Sequence, residues 1–127
     1  MHVVLIVEDD PGIQEVLRFF AEANDMRVVA ADTCDAAIRE AESLRPDLAI
    51  VDLGLPDRDG IDVIYSIRSW SSLPIIVLSA RTLESQKRAA LQAGADDYVT
   101  KPFSAPELLA RMRALLQRGL DPPSADQ

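Results

Sequence analysis

The sequence predicts an α/β fold in which helices cover both faces of one doubly wound parallel sheet. Three observations support this prediction. Five short apolar runs rich in β-branched residues recur along the 127-residue chain, amphipathic stretches separate them, and capping or turn residues fall between the two kinds of segment. Buried parallel strands have this composition, and alternating strands and helices give the order (βα)5. The length suits a single domain.

The five predicted strands are brief and mostly apolar. The fifth is weak by itself and is assigned from its neighbours, because it completes the alternation. Right-handed crossovers between parallel strands bring the carboxyl ends of all five to one edge of the sheet. The predicted strands span residues 3–7, 27–30, 48–53, 74–78 and 98–100.

The helices are predicted from apolar residues that recur every three or four positions and so form a stripe on one helix face. Start and stop signals agree with them. Asp10 before Pro11 is typical of an N-cap followed by proline at the first helical position. Ser104 with Glu107 forms a capping-box pattern, and Gly94 is typical of a helix end. The stripes are Ile13, Leu17 and Phe20; Ile61, Ile64 and Ile67; and Leu108, Met112 and Leu115.

Composition excludes several classes of protein. The net charge of −8, from 21 acidic and 13 basic residues, does not provide the basic surface that free nucleic-acid binding requires. His2 is the only histidine, which argues against a histidine metal site or catalytic triad, and Cys34 is the only cysteine, which excludes an internal disulfide. No long apolar run and no basic-then-apolar leader is present, so we expect a cytoplasmic protein without membrane contact.

Polar side chains end or follow four of the five predicted strands, at the shared carboxyl edge where open α/β sheets bind ligands. Clustered carboxylates repel one another unless a cation joins them, and Mg²⁺ prefers oxygen ligands and phosphate. A lysine adds a positive charge for a phosphate oxygen, and a carboxylate beside Mg²⁺ can accept a phosphoryl group. The cluster therefore suits phosphoryl transfer onto an aspartate. Its members are Glu8, Asp9, Asp10, Asp52, Ser79 and Lys101.

Each of these residues also has an ordinary structural interpretation. Acids directly after a strand are often helix caps, which is the role expected for Asp10. A lone serine after a strand is commonly a turn residue, and a Lys-Pro pair commonly lies in a surface loop. Their joint occurrence at four strand ends favours the functional interpretation.

Four motifs resemble the receiver domain of two-component response regulators over about residues 2–118. They are VVLIVEDD at 3–10, PDLAIVDLGLPDRDG at 46–60, PIIVLSA at 74–80 and GADDYVTKPF at 94–103. The GLPDRDGI and KPF segments are most similar to the subfamily that carries a winged-helix DNA-binding domain (OmpR/PhoB-like). Within it, residues 51–64 and 68–81 resemble the regulators of high-affinity potassium-uptake (Kdp) operons. The resemblance implies a receiver domain at 1–118, with the polar, proline-rich residues 119–127 as a linker toward an output domain.

The resemblance also assigns roles in a phosphorylation site. It implies that Asp52 accepts the phosphoryl group from a sensor histidine kinase. Glu8 and Asp9 correspond to the acidic pair that binds Mg²⁺, Asp9 directly and Glu8 through water. The carbonyl of Gly54, two residues after the acceptor, corresponds to a further metal ligand.

Further implied roles concern the response to phosphorylation. Ser79 and Lys101 correspond to the pair that senses the phosphate, and Tyr98 corresponds to an aromatic switch, although a strand tyrosine of this kind is commonly a half-buried packing residue. The resemblance implies a cis bond before Pro102 and a flavodoxin-like fold with strand order 2-1-3-4-5. It describes a phosphoacceptor rather than an enzyme acting on a separate substrate.

The subfamily resemblance further implies an active homodimer through the fourth helix, fifth strand and fifth helix, which controls transcription through a DNA-binding domain outside this chain. Three ion pairs are expected between the two chains, with apolar contact from Leu91. A solvated charged face is the alternative interpretation. The expected pairs are Lys87 with Glu107, Asp97 with Arg111, and Asp96 with Arg118.

Two other protein classes share this type of sheet, and the sequence disfavours both. A haloacid-dehalogenase-like phosphatase needs a second aspartate two residues after the first, whereas Asp52 is followed by Leu53 and Gly54. A flavodoxin-like electron carrier needs a hydroxyl-rich phosphate loop after the first strand, where this chain has the acidic sequence EDD. Those acids would repel a flavin phosphate.

Overall fold

The computed structural model describes residues 1–120, and side chains through residue 118. Five strands and five helices alternate, and all strand pairs are parallel in the order β2-β1-β3-β4-β5. The predicted (βα)5 fold and strand order are therefore confirmed. The elements are β1 (His2–Val7), α1 (Pro11–Glu22), β2 (Met26–Ala31), α2 (Cys34–Leu44), β3 (Leu48–Val51), α3 (Ile61–Arg68), β4 (Ile75–Ser79), α4 (Glu84–Ala93), β5 (Asp97–Thr100) and α5 (Ala105–Leu120).

The ends of several elements differ from the predicted ends. The third predicted strand, 48–53, stops at Val51 because the chain then enters a tight loop, in which the amide of Gly60 donates to the carbonyl of Leu53 at 2.8 Å. Helix α5 continues to Leu120, two residues beyond the predicted domain boundary at 118. The rest of the predicted linker, residues 121–127, lies outside the described residues.

Two apolar layers enclose the sheet. One layer packs α2, α3 and α4 against one face, and the other packs α1 and α5 against the opposite face. Eight of the nine predicted stripe residues lie in these layers, the exception being the half-buried Phe20, and Leu17, Ile64 and Met112 are among the buried ones. This packing fixes the helices, so the loops at the carboxyl edge start from rigid anchors.

The predicted capping signals are mostly confirmed. The carboxylate of Asp10 accepts hydrogen bonds from the amides of Gly12 and Ile13, at 2.8 and 3.3 Å, and so caps α1. Gly94 ends α4 with a φ of 124°, a left-handed conformation that favours glycine. The hydroxyl of Ser104 accepts from the amide of Glu107 at 3.3 Å, which is half of the predicted capping box. The bond between Lys101 and Pro102 is cis, as expected.

Within residues 1–120, no helix combines the length and the apolar character needed to cross a bilayer.

Candidate phosphorylation site

The carboxyl edge of the sheet brings three acidic side chains together. Glu8 and Asp9 follow β1, and Asp52 follows the neighbouring strand β3. Each of the three contributes a carboxylate oxygen to a group whose atoms all lie within 4.8 Å of one another. The strand order changes direction at β1, which is the place where open α/β sheets form their ligand sites. The predicted clustering of these acids is therefore found in the structure.

Lys101, which follows β5, joins two of these acids. Its ammonium Nζ lies 2.6 Å from Oε1 of Glu8 and 3.1 Å from Oδ2 of Asp52. Glu8 is 2% exposed and Asp52 is 7% exposed, so both charges would be costly without a cation beside them. The lysine therefore compensates two buried carboxylates at once.

The electrostatics of the cluster follow from burial and from this bridge. Burial raises the pKa of Glu8, the negative charge of Asp52 raises it further, and the hydrogen bond from Lys101 opposes the rise. Burial by itself would lower the pKa of Lys101, but its hydrogen bonds and charge interactions with Asp52 and Glu8 outweigh burial and raise it. The ammonium thus stays charged throughout the physiological range.

The donor set fits a hydrated Mg²⁺ ion. All three clustered side chains offer carboxylate oxygen, the ligand type that Mg²⁺ prefers, and Asp9 is exposed, which leaves room for the waters the ion retains. Space is also open above Gly54, where an added Cβ would meet no atom within 4 Å. Asp10 does not join the cluster, because its carboxylate caps α1.

Asp52 is held in place from two sides. Its Oδ1 accepts from the amide of Gly54 at 3.1 Å, while Oδ2 accepts from Lys101. The loop returns so closely at Gly60 that an added Cβ would lie 2.1 Å from the carbonyl oxygen of Asp52. Only glycine permits this approach. Sequence analysis did not identify Gly60, although the Asp-Gly pair before α3 was a usable turn signal.

Ser79, at the end of β4, and Tyr98, in β5, both form hydrogen bonds with the main chain of Arg81, a residue that sequence analysis did not single out. Ser79 is 1% exposed, and its Oγ accepts from the amide of Arg81 at 3.2 Å. The hydroxyl of the half-buried Tyr98 donates to the carbonyl of Arg81 at 2.8 Å. The ammonium of Lys87 lies 5.8 Å from the centre of the Tyr98 ring, within range of a cation–π contact.

The charged residues predicted for the dimer face are paired within one chain. Arg111 binds Asp97 at 2.6 Å and Glu107 at 3.1 Å, while Arg118 binds Asp96 at 3.3 Å. Two of the three partnerships expected between chains are thus already formed inside a single chain.

Asp96, which lies just before β5, has further partners within the chain. Its Oδ2 accepts from Arg68 at 3.0 Å and from the amide of Ile75 at 2.8 Å. Oδ2 of Asp96 therefore stabilises the fold by joining α3 to the start of β4. On α4, Lys87 lies 3.8 Å from Glu84, and Leu91 is 46% exposed.

Fold and site together define a class of protein. The model of the response regulator receiver domain family matches residues 4–113, and the chain belongs to this family. It is 55% identical over 115 residues to the KDP operon transcriptional regulatory protein KdpE of Escherichia coli (strain K12), covering 91% of this chain and 51% of that protein. KdpE of Mycobacterium tuberculosis (strain ATCC 25618 / H37Rv) is 50% identical over 118 residues, covering 93% and 52%. The expected similarity to potassium-uptake regulators is thus confirmed.

Solved structures agree with this assignment. A two-component response regulator from Clostridium difficile superimposes with a TM-score of 0.92 at 28% identity, covering 95% of this chain and all of that one. The BeF3-activated receiver domain of Klebsiella pneumoniae RstA gives a TM-score of 0.86 at 30% identity, covering 91% and 98%. The chain spans about half the length of the curated relatives it matches.

Proposed function

We propose that this domain is a phosphoacceptor switch in which Asp52 takes a phosphoryl group from a sensor histidine kinase. The observation that carries the proposal is the position of Asp52: its carboxylate is buried at the switch point of the sheet, beside two further acids and in contact with Lys101. An aspartate in a merely structural role would not need this arrangement of like charges.

The chemistry follows from the groups present. An oxygen of Asp52 attacks the phosphorus of the donor phosphohistidine, a P–O bond forms, and the P–N bond to the imidazole breaks. Glu8, Asp9, Asp52 and the carbonyl of Gly54 would hold Mg²⁺, which supplies positive charge against the phosphoryl oxygens. Water later hydrolyses the acyl phosphate. Because the phosphoryl group is carried on the domain's own aspartate, the domain is a phosphoacceptor rather than an enzyme with a separate substrate.

Phosphorylation changes the partners of Lys101. In the unphosphorylated chain the ammonium binds the carboxylates of Glu8 and Asp52. A phosphoryl group on Asp52 offers new anionic oxygens, and the ammonium of Lys101 and the hydroxyl of Ser79, at the end of the adjacent strand β4, would donate to them. Tyr98 responds through its hydrogen bond to the loop that follows Ser79. The contacts of Lys101 and Ser79 with the phosphoryl oxygens exist only when Asp52 is phosphorylated, so they can shift the balance between two conformations.

The active form is a homodimer through the α4–β5–α5 face. Arg111 and Arg118 already have acidic partners within the chain. Ion pairs across the dimer would therefore replace these intrachain pairs rather than add to them. Exchange of like pairs yields little net energy, and exposed pairs contribute only about 0–1 kcal/mol each. Apolar contact through the exposed Leu91 then supplies affinity, while the charges set register and partner specificity.

The output is transcriptional, through a DNA-binding domain beyond this chain. Relatives named transcriptional regulatory proteins are about twice as long as this chain. The net charge of −8 does not suit direct DNA contact by this domain. The cytoplasmic location expected from the sequence stays a prediction.

Incubation with acetyl phosphate and Mg²⁺ tests the proposal. The intact mass should increase by one phosphoryl group, and Asp52→Asn should abolish the increase. Asp57→Asn is a matched control, because Asp57 lies in the same loop but accepts hydrogen bonds from the amides of Cys34 and Asp35. Equal incorporation in the parent chain and Asp52→Asn would overturn the assignment.

A further inference from the structure

Arg81, in the loop between β4 and α4, connects the loop after Asp52 with the proposed sensing residues. Its guanidinium donates from Nη1 to Oδ2 of Asp59 at 2.7 Å and from Nη2 to the carbonyl of Leu53 at 3.3 Å. Its amide donates to Oγ of Ser79 at 3.2 Å, and its carbonyl accepts from the Tyr98 hydroxyl at 2.8 Å. The side chain thus binds one loop, while the main chain binds the serine and the tyrosine.

We propose that Arg81 is a positioning residue whose ion pair with Asp59 fixes the carbonyl that receives the Tyr98 hydroxyl, and so holds Tyr98 in its half-buried position. The regulatory consequence rests on the proposed function, since it takes Tyr98 as the element that reports phosphorylation to the dimer face.

The loop needs such an anchor because α4 begins without one. The N-cap residue of α4 is Leu83, whose side chain cannot accept a hydrogen bond from the helix amides, and which is 62% exposed. Nothing in the capping residue therefore restrains the preceding turn. The two hydrogen bonds from the Arg81 guanidinium to the loop after Asp52 supply this restraint. The position of the Arg81 carbonyl is fixed as a result.

The contact is partly exposed, which sets the size of the effect. The side chains of Arg81 and Asp59 are 33% and 44% exposed, so the ion pair by itself is weak. Energetic coupling between two sites in a protein typically changes an equilibrium constant by at least roughly fivefold. We therefore expect the loss of the pair to shift the position of Tyr98 measurably without unfolding the domain.

Fluorine NMR tests the proposal, because the chain has two tyrosines. Labelling with 3-fluorotyrosine gives one resonance from Tyr98 and one from Tyr65, which is 58% exposed and serves as the internal reference. Asp59→Asn removes the charge but keeps an Oδ1 acceptor for the amide of Ile61, bonded at 3.0 Å in the parent. Asp59→Asn and Arg81→Gln should each move the Tyr98 resonance toward that of Tyr65, and the double variant should move it no further.

Arg58→Gln is the matched control. Arg58 lies in the same loop and makes ion pairs with Asp35 and Asp62, so its loss should leave the Tyr98 resonance in place. Arg81→Lys keeps a charge for Asp59 and should restore part of the parent position. A Tyr98 resonance that is unchanged in Asp59→Asn and Arg81→Gln, or that moves equally in Arg58→Gln, would overturn the proposal.

The regulatory consequence is measured separately. Sedimentation of the beryllofluoride-treated chain should give a dimer dissociation constant raised about fivefold by Asp59→Asn, and an unchanged constant would contradict it. The fluorine measurement needs no phosphoryl donor. If the parent chain fails to accept phosphate at Asp52, the proposed function fails, while the NMR result still decides the role of Arg81.

Discussion

Replacing Lys101 with alanine should strongly destabilise the domain when no metal is bound. The variant leaves the carboxylates of Glu8 and Asp52 buried together without the ammonium that lies 2.6 and 3.1 Å from them. Removing one partner of a buried ion pair costs about 3–5 kcal/mol. Because the lysine side chain is 17% exposed, we expect about 3 kcal/mol, the lower end of that range. For a domain of this size that lowers Tm by roughly 10 °C.

The difference between parent and variant should depend on pH in a defined direction. The pKa of Glu8 is raised by burial and by Asp52, and in the variant it rises further because the opposing bond from Lys101 is lost. A group whose pKa is raised by folding contributes stability at pH values below its pKa in the unfolded state. That contribution disappears as the pH rises through its pKa in the folded state. The variant therefore regains stability as acid protonates Glu8. The pKa of Lys101 is raised above its ordinary value of 10.5, so the advantage of the parent disappears only at more alkaline pH.

Urea unfolding at several pH values, with and without Mg²⁺, measures both effects. Mg²⁺ should restore most of the lost stability, since a Mg²⁺ concentration of 100 times its dissociation constant adds about 2.7 kcal/mol to the free energy of unfolding. Lys87→Ala is the control: Lys87 is the only other lysine, and the variant loses only a 3.8 Å contact with the exposed Glu84 and the cation–π contact with Tyr98, so its loss should cost about 1 kcal/mol at most. Equal destabilisation by the two variants, or a Lys101→Ala deficit that acid does not reduce, would refute the reasoning.

Three further predictions concern other parts of the molecule. Asp9→Ala should weaken Mg²⁺ binding in calorimetric titration more than Asp10→Ala, since Asp10 caps α1; the reverse order would show that the metal ligands are misassigned. Arg111→Glu should break the beryllofluoride-activated dimer in sedimentation and adding Asp97→Arg should restore it, whereas dimers unaffected by both changes would exclude this face. Cys34, buried and with its pKa raised by burial to about 11, should react with Ellman's reagent at least about 100-fold more slowly in the folded chain than in urea; comparable rates would contradict its burial.

The fold and the clustering of the site could be predicted because both follow from local patterns. Short β-branched runs and helical stripes specify the alternation, and parallel strands place their carboxyl ends at one edge. These two rules are enough to bring Glu8, Asp9, Asp52 and Lys101 together from the sequence alone. The function of Asp10 as a cap was likewise visible in its position before Pro11.

The particular partners of side chains could not be predicted in the same way. The contacts of Arg81 with Asp59 and Tyr98 join two loops and strand β5, and loop conformations are set by tertiary packing rather than by spacing along the chain. The pairs of Arg111 and Arg118 were expected between chains, and the structure shows both arginines paired within one chain. A sequence pattern shows that charges share a face, but it does not show which acid within reach each base will choose.

The most direct measurement of the central claim is chemical trapping of the phosphoryl group. Borohydride reduces an aspartyl phosphate to homoserine, so peptide mass spectrometry after treatment with acetyl phosphate and Mg²⁺ identifies the acceptor residue. We expect homoserine at position 52 alone. Homoserine at position 9 instead, or no conversion at position 52 in a chain that has gained phosphoryl mass, would contradict the assignment of Asp52 as the acceptor.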